Sequence, residues 1–396
     1  MVKFLVNRNT GRKSTMLLRW LNRIFQSRDR APLPTLPFDL VAEILCRLPV
    51  KLLVQLRCLC KSFNTLISDP KFAKKHLQMS TKRNRLMLRS TNNLGKLFLY
   101  DSPIQSIFST SRVKQTQLNY PNRLMNSHSC AYSCDGIVCI AKTNFNSCAV
   151  LWNPSIQKFK ILPPLETSPN RRAYISLYSF GYDHFIRNYK TVVISFVTDN
   201  SFRAGKYEVR VLALGTDSWR RIQDFPYLNT SSKPGVFMSS TVNWLTHDNL
   251  RILIVSLDLE NESYQNLWTP VLPRTRIANN HDLGVLKDCL CIFANCDMFW
   301  DVWVMKEYGN TDSWTKLYHV PYMRYRGLWI NTKILYVTED DQLLMKVHEL
   351  VSSSKVKLVV YNSKSGTLKF PKIQNIDYLM DPEVYIESLI SPCSKY

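Results

Sequence analysis

The sequence predicts an α+β protein: a short helical module near the N-terminal end, followed by an all-β, propeller-like domain of about six blades. Two observations support this prediction. Apolar residues recur at helical spacing between residues 36 and 76, and strand-like segments joined by polar turns recur about every 50 residues after residue 85. The predicted domains are a basic leader over residues 1–30, the helical module over 31–80 and the β domain over 85–396.

The helical module is interrupted by prolines. Its first apolar stripe consists of Leu40, Ile44, Leu45 and Leu48. Pro49 follows this stripe, and a proline disfavours helical backbone at the residue before it, so the first helix should end near Arg47. A second stripe repeats at steps of four, three and four through Leu52, Leu56, Leu59 and Phe63. The segment "SDPKF" around Pro70 is a turn signal, and we therefore expect two or three short helices over residues 36–76.

A unit of about 40 residues struggles to bury enough apolar surface to fold alone. Its apolar faces need additional protein to cover them, which is typical of a docking module. An ordinary helical subdomain that packs on the rest of its own chain would show the same pattern. The residue pattern leaves both readings open.

The segment from Leu36 to Leu77 resembles the F-box, the helical motif that joins substrate receptors to the Skp-type adaptor of cullin-based ubiquitin ligases. The matching positions are Leu36, Pro37, Leu40, Glu43, Ile44, Leu45, Arg47, Leu48, Pro49, Arg57, Lys61, Ser62, Ser68, Asp69 and Pro70. Leu52 and Phe63 depart from the motif, which usually has serine and tryptophan there, but both keep or add apolar bulk. The resemblance implies a three-helix F-box.

The same resemblance implies an adaptor-binding set. Its members are the prolines and aliphatic residues Leu36, Pro37, Leu40, Ile44, Leu45, Leu48, Pro49, Leu53 and Leu56.

Strand patterns dominate the remainder of the chain. The segment "KYEVRVLAL" alternates strictly, with Tyr207 and Val209 on one face and Glu208 and Arg210 on the other. Such alternation predicts a half-buried strand with its charged face in solvent.

A repeat follows from the turns. The run Thr-Asp-Ser-Trp occurs at Thr216–Trp219 and again at Thr311–Trp314. If Asp217, Asn261, Asp312 and Ser363 are taken as turn markers, successive markers lie 44, 51 and 51 residues apart. Ser155 marks an earlier turn. Strands at this period are typical of propeller blades, and a tryptophan at the same place in two repeats is expected to pack between blades. A plain β-sandwich is the alternative.

The β domain resembles the plant F-box-associated domain. The motifs appear in order as "SCDGIVCI", "LWNPSIQKFKILPP", "GYD", "LGTDSWRRI", "VNWLTHD", "IVSLDLENE", "VWVMKEYGNTDSWTKL" and "YNSKSGTLK". The similarity spans nearly all of residues 120–390. The combination resembles the plant F-box/kelch-repeat group, although the Gly-Gly pair of a kelch repeat is missing. If the domain is a closed propeller, its last strand near "VYIESLIS" should pair with the strands near "RLMLRS" or "KLFLY".

Charge and cysteine content restrict the function. The chain carries a formal net charge of +22, and residues up to Arg85 hold 18 Lys and Arg against 4 Asp and Glu. This concentration suits an acidic partner of the helical module better than a nucleic acid, which usually meets a basic stripe on a folded domain. The eleven cysteines are scattered without disulfide or zinc-finger spacing, which favours the cytoplasm or nucleus. No run is long and apolar enough for a membrane span.

Catalytic motifs are not found. The sequence has no Walker loop, no dinucleotide fingerprint, no HExxH and no GxSxG elbow. Cys130, Cys134 and Cys139 with His128 could supply four metal ligands, but their spacing is unlike common zinc sites and Cys139 sits in an apolar strand. We therefore expect core cysteines, with no catalytic residue, cofactor or metal site.

The sequence thus predicts a non-catalytic substrate receptor of an SCF-type E3 ubiquitin ligase. It would bind a Skp-type adaptor, and through it a cullin, with the F-box, and an unidentified target protein with the β domain. Loops near Leu165–Tyr174 and Tyr227–Val236 are expected to help set the target. A basic nucleic-acid-binding protein and a ligand-binding β-propeller without a ligase role are the alternatives.

Overall fold

A computed structural model describes most of the chain after residue 36. The described ranges are 37–79, 83–91, 97–110, 112–120, 129–142, 148–165, 171–199, 205–228, 233–248, 251–272, 281–295, 299–321, 329–349, 356–374, 378–379 and 382–393. The chain divides into two compact units, Met1–Ser80 and Thr81–Tyr396.

The first unit contains four helices within residues 37–79, which corrects the expectation of three. They are α1 (Phe38–Cys46), α2 (Val50–Leu56), α3 (Lys61–Ser68) and α4 (Pro70–Gln78). The break at Pro49 lies where the sequence placed it. The additional break lies at residues 57–60, inside the stripe that the sequence joined into one helix.

The extra break has a local cause. Cys60 takes an extended backbone conformation and caps α3, with its Sγ accepting a hydrogen bond from the Phe63 amide at 3.5 Å. The stripe therefore divides, because Leu56 and Phe63 point into the core while Leu59 remains 43% exposed in the turn. Helical spacing alone cannot detect a turn that preserves the phase of the apolar residues on both sides of it.

The helical unit has its own core. Its buried apolar residues are Leu45, Cys46, Val50, Leu52, Leu53, Leu56, Phe63, Ile67, Phe72 and Ala73. At the start of α4, the Lys71 amide donates to Asp69 Oδ1 at 2.8 Å, and Pro70 occupies the first helical position. The buried His76 donates from Nε2 to the Leu48 carbonyl at 2.9 Å, which ties the turn after α1 to α4.

The described residues of the second unit form six sheets of four or five strands, which we number as blades 1 to 6, and one two-stranded sheet. Blade 1 combines β1 (Asn84–Thr91), β2 (Leu97–Pro103) and β4 (Thr116–Gln117) with the C-terminal β26 (Tyr378–Leu379) and β27 (Glu383–Ile386). Helix α5 (Ile104–Ser109) follows β2, and a parallel pair forms between β3 (Arg112–Val113) and β25 (Lys372–Ile373).

The other five blades are four-stranded, antiparallel and built from consecutive strands. Blade 2 has β5 (Ser129–Cys134), β6 (Ile137–Lys142), β7 (Cys148–Asn153) and β8 (Lys158–Ile161). Blade 3 has β9 (Arg171–Asp183), β10 (Asn188–Asp199), β11 (Gly205–Ala213) and β12 (Arg220–Arg221). Blade 4 has β13 (Val236–Met238), β14 (Thr241–Asp248), β15 (Arg251–Asp258) and β16 (Tyr264–Trp268). Blade 5 has β17 (Asp282–Leu286), β18 (Cys289–Asn295), β19 (Phe299–Met305) and β20 (Trp314–Pro321). Blade 6 has β21 (Trp329–Val337), β22 (Gln342–Glu349), β23 (Val356–Asn362) and β24 (Thr367–Lys369).

The blades close into a ring. In blades 2 to 6 the strand that comes first in the sequence contacts the corresponding strand of the next blade, and in blade 1 this place is taken by the last strand, β27. The order of contacts is β27, β5, β9, β13, β17, β21 and back to β27. Strand β27 pairs with β1 in antiparallel register, with Leu86 opposite Val384. The predicted six-bladed propeller and the predicted pairing of the last strand are confirmed, and the sandwich alternative is excluded.

The turn markers read from the sequence occupy equivalent places. Ser155, Asp217, Asn261, Asp312 and Ser363 each lie between the third and fourth strands of a blade. The turn recurs at the same place because each of blades 2 to 6 needs a tight polar turn before its fourth strand.

One prediction about a strand is wrong. Glu208 in β11 is only 3% exposed instead of lying on a solvent face. Its carboxylate lies 3.5 Å from the Arg210 guanidinium and 3.4 Å from that of Arg221. The strand is third in its blade, so neighbouring structure covers both of its faces, and the acid is accommodated because bases surround it.

Candidate docking surface

Helix α1 carries two apolar stripes where the sequence showed one. Leu45 faces inward and is 1% exposed. Leu40 and Ile44, one helical turn apart, face outward and are 50% and 43% exposed. A helix that is apolar on two sides needs two partners, and the core of the unit supplies only one.

The predicted adaptor-binding residues fall into three groups. Leu36 lies outside the described residues. Pro37, Leu40, Ile44 and Pro49 are exposed, and Leu48 is half-buried. Adaptor binding by these exposed residues stays a prediction.

The remaining three predicted residues are core residues. Leu45, Leu53 and Leu56 are 1%, 0% and 0% exposed, so none offers a surface to a partner in this conformation. Their part in adaptor binding stays a prediction. In this structure all three belong to the core of the helical unit.

Three apolar residues of the helical unit are exposed although they were not in the predicted adaptor-binding set. Phe38 at the start of α1 is 51% exposed, Leu59 is 43% exposed and Met79, just after α4, is 40% exposed. Phe38 could not have been found from spacing, because it lies seven residues before Leu45 and therefore on the same helical face, and its exposure follows from its place in the first turn of α1. Leu59 could not be found either, because its exposure depends on the turn at residues 57–60.

The two departures from the F-box pattern lie in the core. Leu52 is 8% exposed and Phe63 is 2% exposed. Both act through packing inside the unit, where extra apolar bulk is accommodated.

The charge of the helical unit is positive. Its described residues include seven Lys and Arg against three Asp and Glu. One ion pair links Glu43 of α1 to Lys75 of α4, and this hydrogen-bonded contact lowers the pKa of Glu43. Arg47, Lys51 and Lys61 are exposed. The apolar surface of α1 thus belongs to a basic unit, which favours an acidic partner.

In the propeller, tryptophans join neighbouring blades. Trp219 Nε1 donates to the Pro163 carbonyl, which follows blade 2, at 2.9 Å. Trp314 Nε1 donates to the Trp268 carbonyl at the end of blade 4, also at 2.9 Å. The two repeats of Thr-Asp-Ser-Trp therefore make the same inter-blade bond, which confirms the predicted packing role of both tryptophans.

Charged groups join blades 3 and 4. Lys190 of β10 lies 2.8 Å from the buried Asp183 and 3.3 Å from Glu262 in the last turn of blade 4. Asp183 also holds its own turn, because its Oδ1 accepts the Phe185 amide at 2.8 Å. One buried acid thus fixes both a hairpin turn and a blade contact.

The closing blade is pinned by a polar cluster. Arg85 Nε lies 2.7 Å from both carboxylate oxygens of Asp101, and its Nη1 lies 2.9 Å from Glu387. Tyr385 donates to Asp101 at 3.0 Å, and burial with this neighbouring acid raises the pKa of Tyr385. The cluster joins the first strands of the domain to the last strand across 284 residues.

The C-terminal tail continues into blade 2. Asn153 Nδ2 donates to Ser388 O at 3.1 Å and Ile390 O at 2.8 Å, and all three residues are fully buried. Gly136, with φ +80°, lies where a Cβ atom would be 2.4 Å from Ser388 Oγ. Glycine is therefore required there both for the turn and for the passage of the tail.

The cysteines considered as metal ligands lie in or near the core. Cys139 is 0% exposed, and burial raises its pKa to about 12, which confirms it as a core residue. Cys134 is 7% exposed and its pKa is also raised by burial. His128 lies outside the described residues, as does the side chain of Cys130. Across the described ranges, no group of three His, Cys, Asp or Glu side chains is arranged to hold a metal ion.

Comparison with known proteins agrees with this architecture. The F-box domain pattern matches residues 33–75, and the F-box associated beta propeller domain pattern matches residues 79–392. The chain belongs to the F-box-associated beta propeller family.

Curated relatives of this F-box protein come from Arabidopsis thaliana. The F-box/kelch-repeat protein At3g23880 is 27% identical over 368 residues, covering 90% of this chain and 96% of the relative. The F-box protein CPR1 is 28% identical over 386 residues, covering 91% of this chain and 89% of the relative. The F-box protein At3g07870 is 26% identical over 390 residues, covering 85% and 87%.

This F-box protein therefore combines an exposed apolar helix surface with a closed propeller. Within the described residues, no helix is long and apolar enough to cross a membrane.

Proposed function

We propose that this F-box protein is a substrate-recognition subunit of an SCF-type E3 ubiquitin ligase. The observation that carries the proposal is the outward stripe of α1, where Leu40 and Ile44 are 50% and 43% exposed although the unit already has a core of its own. This stripe, with Pro37, Leu48 and Pro49 beside it, would bind a Skp-type adaptor and through it a cullin. The positive charge of the unit supports an acidic partner.

The propeller would bind the target protein. Its seams are closed by contacts such as the 3.3 Å ion pair of Lys190 in blade 3 with Glu262 in blade 4, which make it a rigid scaffold for a recognition surface. A receptor of this kind acts by raising the effective concentration of the target near the charged conjugating enzyme.

The chain itself would contribute no catalytic group. A thioester-forming cysteine must be accessible and readily deprotonated. In the propeller, burial raises the pKa of Cys134, Cys139 and Cys291, which opposes that role for them. The nine described cysteines are free thiols, which supports a reducing compartment, the cytoplasm or nucleus.

The docking proposal is tested by charging the outward stripe. Leu40→Asp and Ile44→Asp should each weaken capture of a purified Skp-type adaptor by about 2 kcal/mol, a roughly 30-fold rise in Kd, because a charge would be buried in the interface. Gln78→Asp introduces the same charge at an exposed polar position in α4 and should bind as the wild type does. Binding is measured by calorimetry. Wild-type affinity in both stripe variants would refute the proposed docking surface.

The receptor role is tested by reconstituted ubiquitin transfer with adaptor, cullin and charged conjugating enzyme present. Replacing residues 81–396 with a domain of known partner should redirect ubiquitination to that partner. Transfer in the absence of a cullin, lost when one cysteine of this chain is replaced, would make the protein an enzyme instead.

A further inference from the structure

Two cysteines of the helical unit combine exposure with close spacing, and no other pair of described cysteines has both properties. Cys58, Cys60 and Cys393 are the exposed thiols of the described residues. Cys58 and Cys60 are separated by a single residue and lie together in the turn between α2 and α3. An exposed thiol with a second thiol beside it is the arrangement found in redox-sensing sites.

The turn holds both cysteines at the surface. Cys58 donates its amide to the Gln55 carbonyl at 3.1 Å, while Cys60 is extended and caps α3 through the 3.5 Å contact of its Sγ with the Phe63 amide. Two residues of chain span at most about 7 Å, and a disulfide joins Cα atoms about 4.4–6.8 Å apart. A bridge between the two sulfurs therefore needs only a local adjustment of the turn.

The surroundings of the pair are basic. Arg57 and Lys61 flank the two cysteines, and residues 52–68 contain no Asp or Glu. A positive local field raises the concentration of anionic reagents near the pair. Glutathione disulfide is a reagent of this kind, because its carboxylates give it a net negative charge.

We propose that Cys58 and Cys60 form a thiol-exchange site that reacts with anionic low-molecular-weight disulfides. One thiol attacks a sulfur of the reagent, its proton passes to the departing thiolate, and a mixed disulfide forms. The other cysteine then attacks the protein sulfur of that mixed disulfide and releases the second reagent thiol. The two protein thiols are oxidised to one disulfide while the reagent disulfide is reduced to two thiols.

Closing the bridge changes the start of α3. The Cys60 sulfur that accepts the Phe63 amide is drawn toward Cys58, so the hydrogen bond between them is lost. Phe63 is a core residue and is 2% exposed, so the change reaches the packing of the helical unit. Amide hydrogen exchange at Phe63 should become faster in the oxidised protein than in the reduced protein.

The experiment incubates the full-length folded chain with glutathione disulfide, blocks remaining thiols and digests with a Lys-specific protease. The peptide from Leu52 to Lys61 contains Cys58 and Cys60 and no other cysteine. Mass spectrometry should show this peptide losing two hydrogens, with both thiols protected from alkylation together. Cys393, an exposed thiol without a neighbour, serves as the internal control and should stop at the mixed disulfide.

Variants separate closure from simple modification. Cys58→Ser and Cys60→Ser should each retain one glutathione on the remaining thiol, because no second thiol can resolve it. Cys46, which is 0% exposed, should remain unmodified and so report that the unit is folded. Wild-type protein that accumulates mixed disulfides without closure, or reacts only at Cys393, would overturn the proposal. The readout needs no adaptor, so its result is independent of the docking test.

Discussion

The helical unit and the propeller use polar and apolar groups in opposite ways. The helical unit leaves Phe38, Leu40 and Ile44 more than 40% exposed. The propeller instead buries charges, with Asp183 and Asp101 only 0% and 7% exposed. The contrast teaches that the propeller uses buried charges inside its blades and at its seams, whereas the helical unit leaves apolar side chains of one helix to be covered.

The physical reason lies in size and closure. A unit of about 40 residues has too little interior to bury every apolar side chain. A ring of six blades has a seam at every junction, and at the seams between blades 2 and 3, 3 and 4, and 4 and 5 a hydrogen bond or ion pair joins the two neighbours. Amino-acid substitutions in the helical unit and in the propeller can test this contrast.

The largest effect is expected in the core of the helical unit. Leu53→Asp buries an unpaired charge and should cost at least about 4 kcal/mol, comparable with the whole stability of so small a unit. Hydrogen exchange of the α1 to α4 amides should show loss of protection in this unit. Gln55→Asp, an exposed position on the same helix, should stay within about 0.5 kcal/mol of the wild type. Equal effects of the two changes would contradict the division between buried and outward stripes.

In the propeller, Gly136→Ala should displace the C-terminal tail. The added methyl would meet Ser388 Oγ at 2.4 Å and Ile386 O at 2.5 Å, in addition to the strain of φ +80°. We expect a loss of about 3 kcal/mol, measured by urea denaturation. Gly366→Ala is the matched control, because Gly366 has φ +68° and open space around it, so it should cost only about 1 kcal/mol. If Gly366→Ala costs as much, the tail contact has no role.

A histidine in the propeller should make stability depend on pH. His281 is 8% exposed, and burial, together with His247 and Lys233, lowers its pKa from 6.5 to about 4. The unfolded chain therefore binds a proton before the folded chain does, so stability is full above about pH 6.5 and falls toward pH 4, by about 3 kcal/mol at most. Urea denaturation from pH 7 to 4 measures this slope.

The control for His281 is a second histidine. His281→Gln should flatten the pH dependence, whereas His184→Gln, at an exposed turn position, should leave it unchanged. An unchanged slope in His281→Gln would assign the dependence to other groups.

The smallest effect is expected at the tryptophan seams. Trp314→Phe removes the 2.9 Å bond to the Trp268 carbonyl and should cost about 1 kcal/mol. Trp219→Phe should cost a similar amount, because it removes the same bond between blades 2 and 3. A large difference between the two variants in urea denaturation would show that the repeated motif does not have a repeated role.

The sequence by itself determined the two-part architecture and the number of blades. The leucine spacing and Pro49 predicted a broken helical module, because period and proline act locally. The recurrence of polar turns from Asp217 to Ser363 predicted blades, because each blade needs the same turn before its outermost strand. Closure by the last strand also followed, since a ring of sheets leaves no other partner for it.

Only the tertiary structure decided which side of a pattern faces the core. Leu40 and Leu45 are equally apolar, yet one is 50% and the other 1% exposed, because their difference depends on which side of α1 packs against α4. Glu208 alternates like a solvent-facing residue but is buried, because Arg210 of its own strand and Arg221 of the neighbouring strand lie against its carboxylate. The turn at Cys60 was also invisible, because it keeps the apolar phase on either side. Periodicity fixes the relative orientation of side chains along one segment, whereas exposure is set by contacts with segments that are distant in sequence.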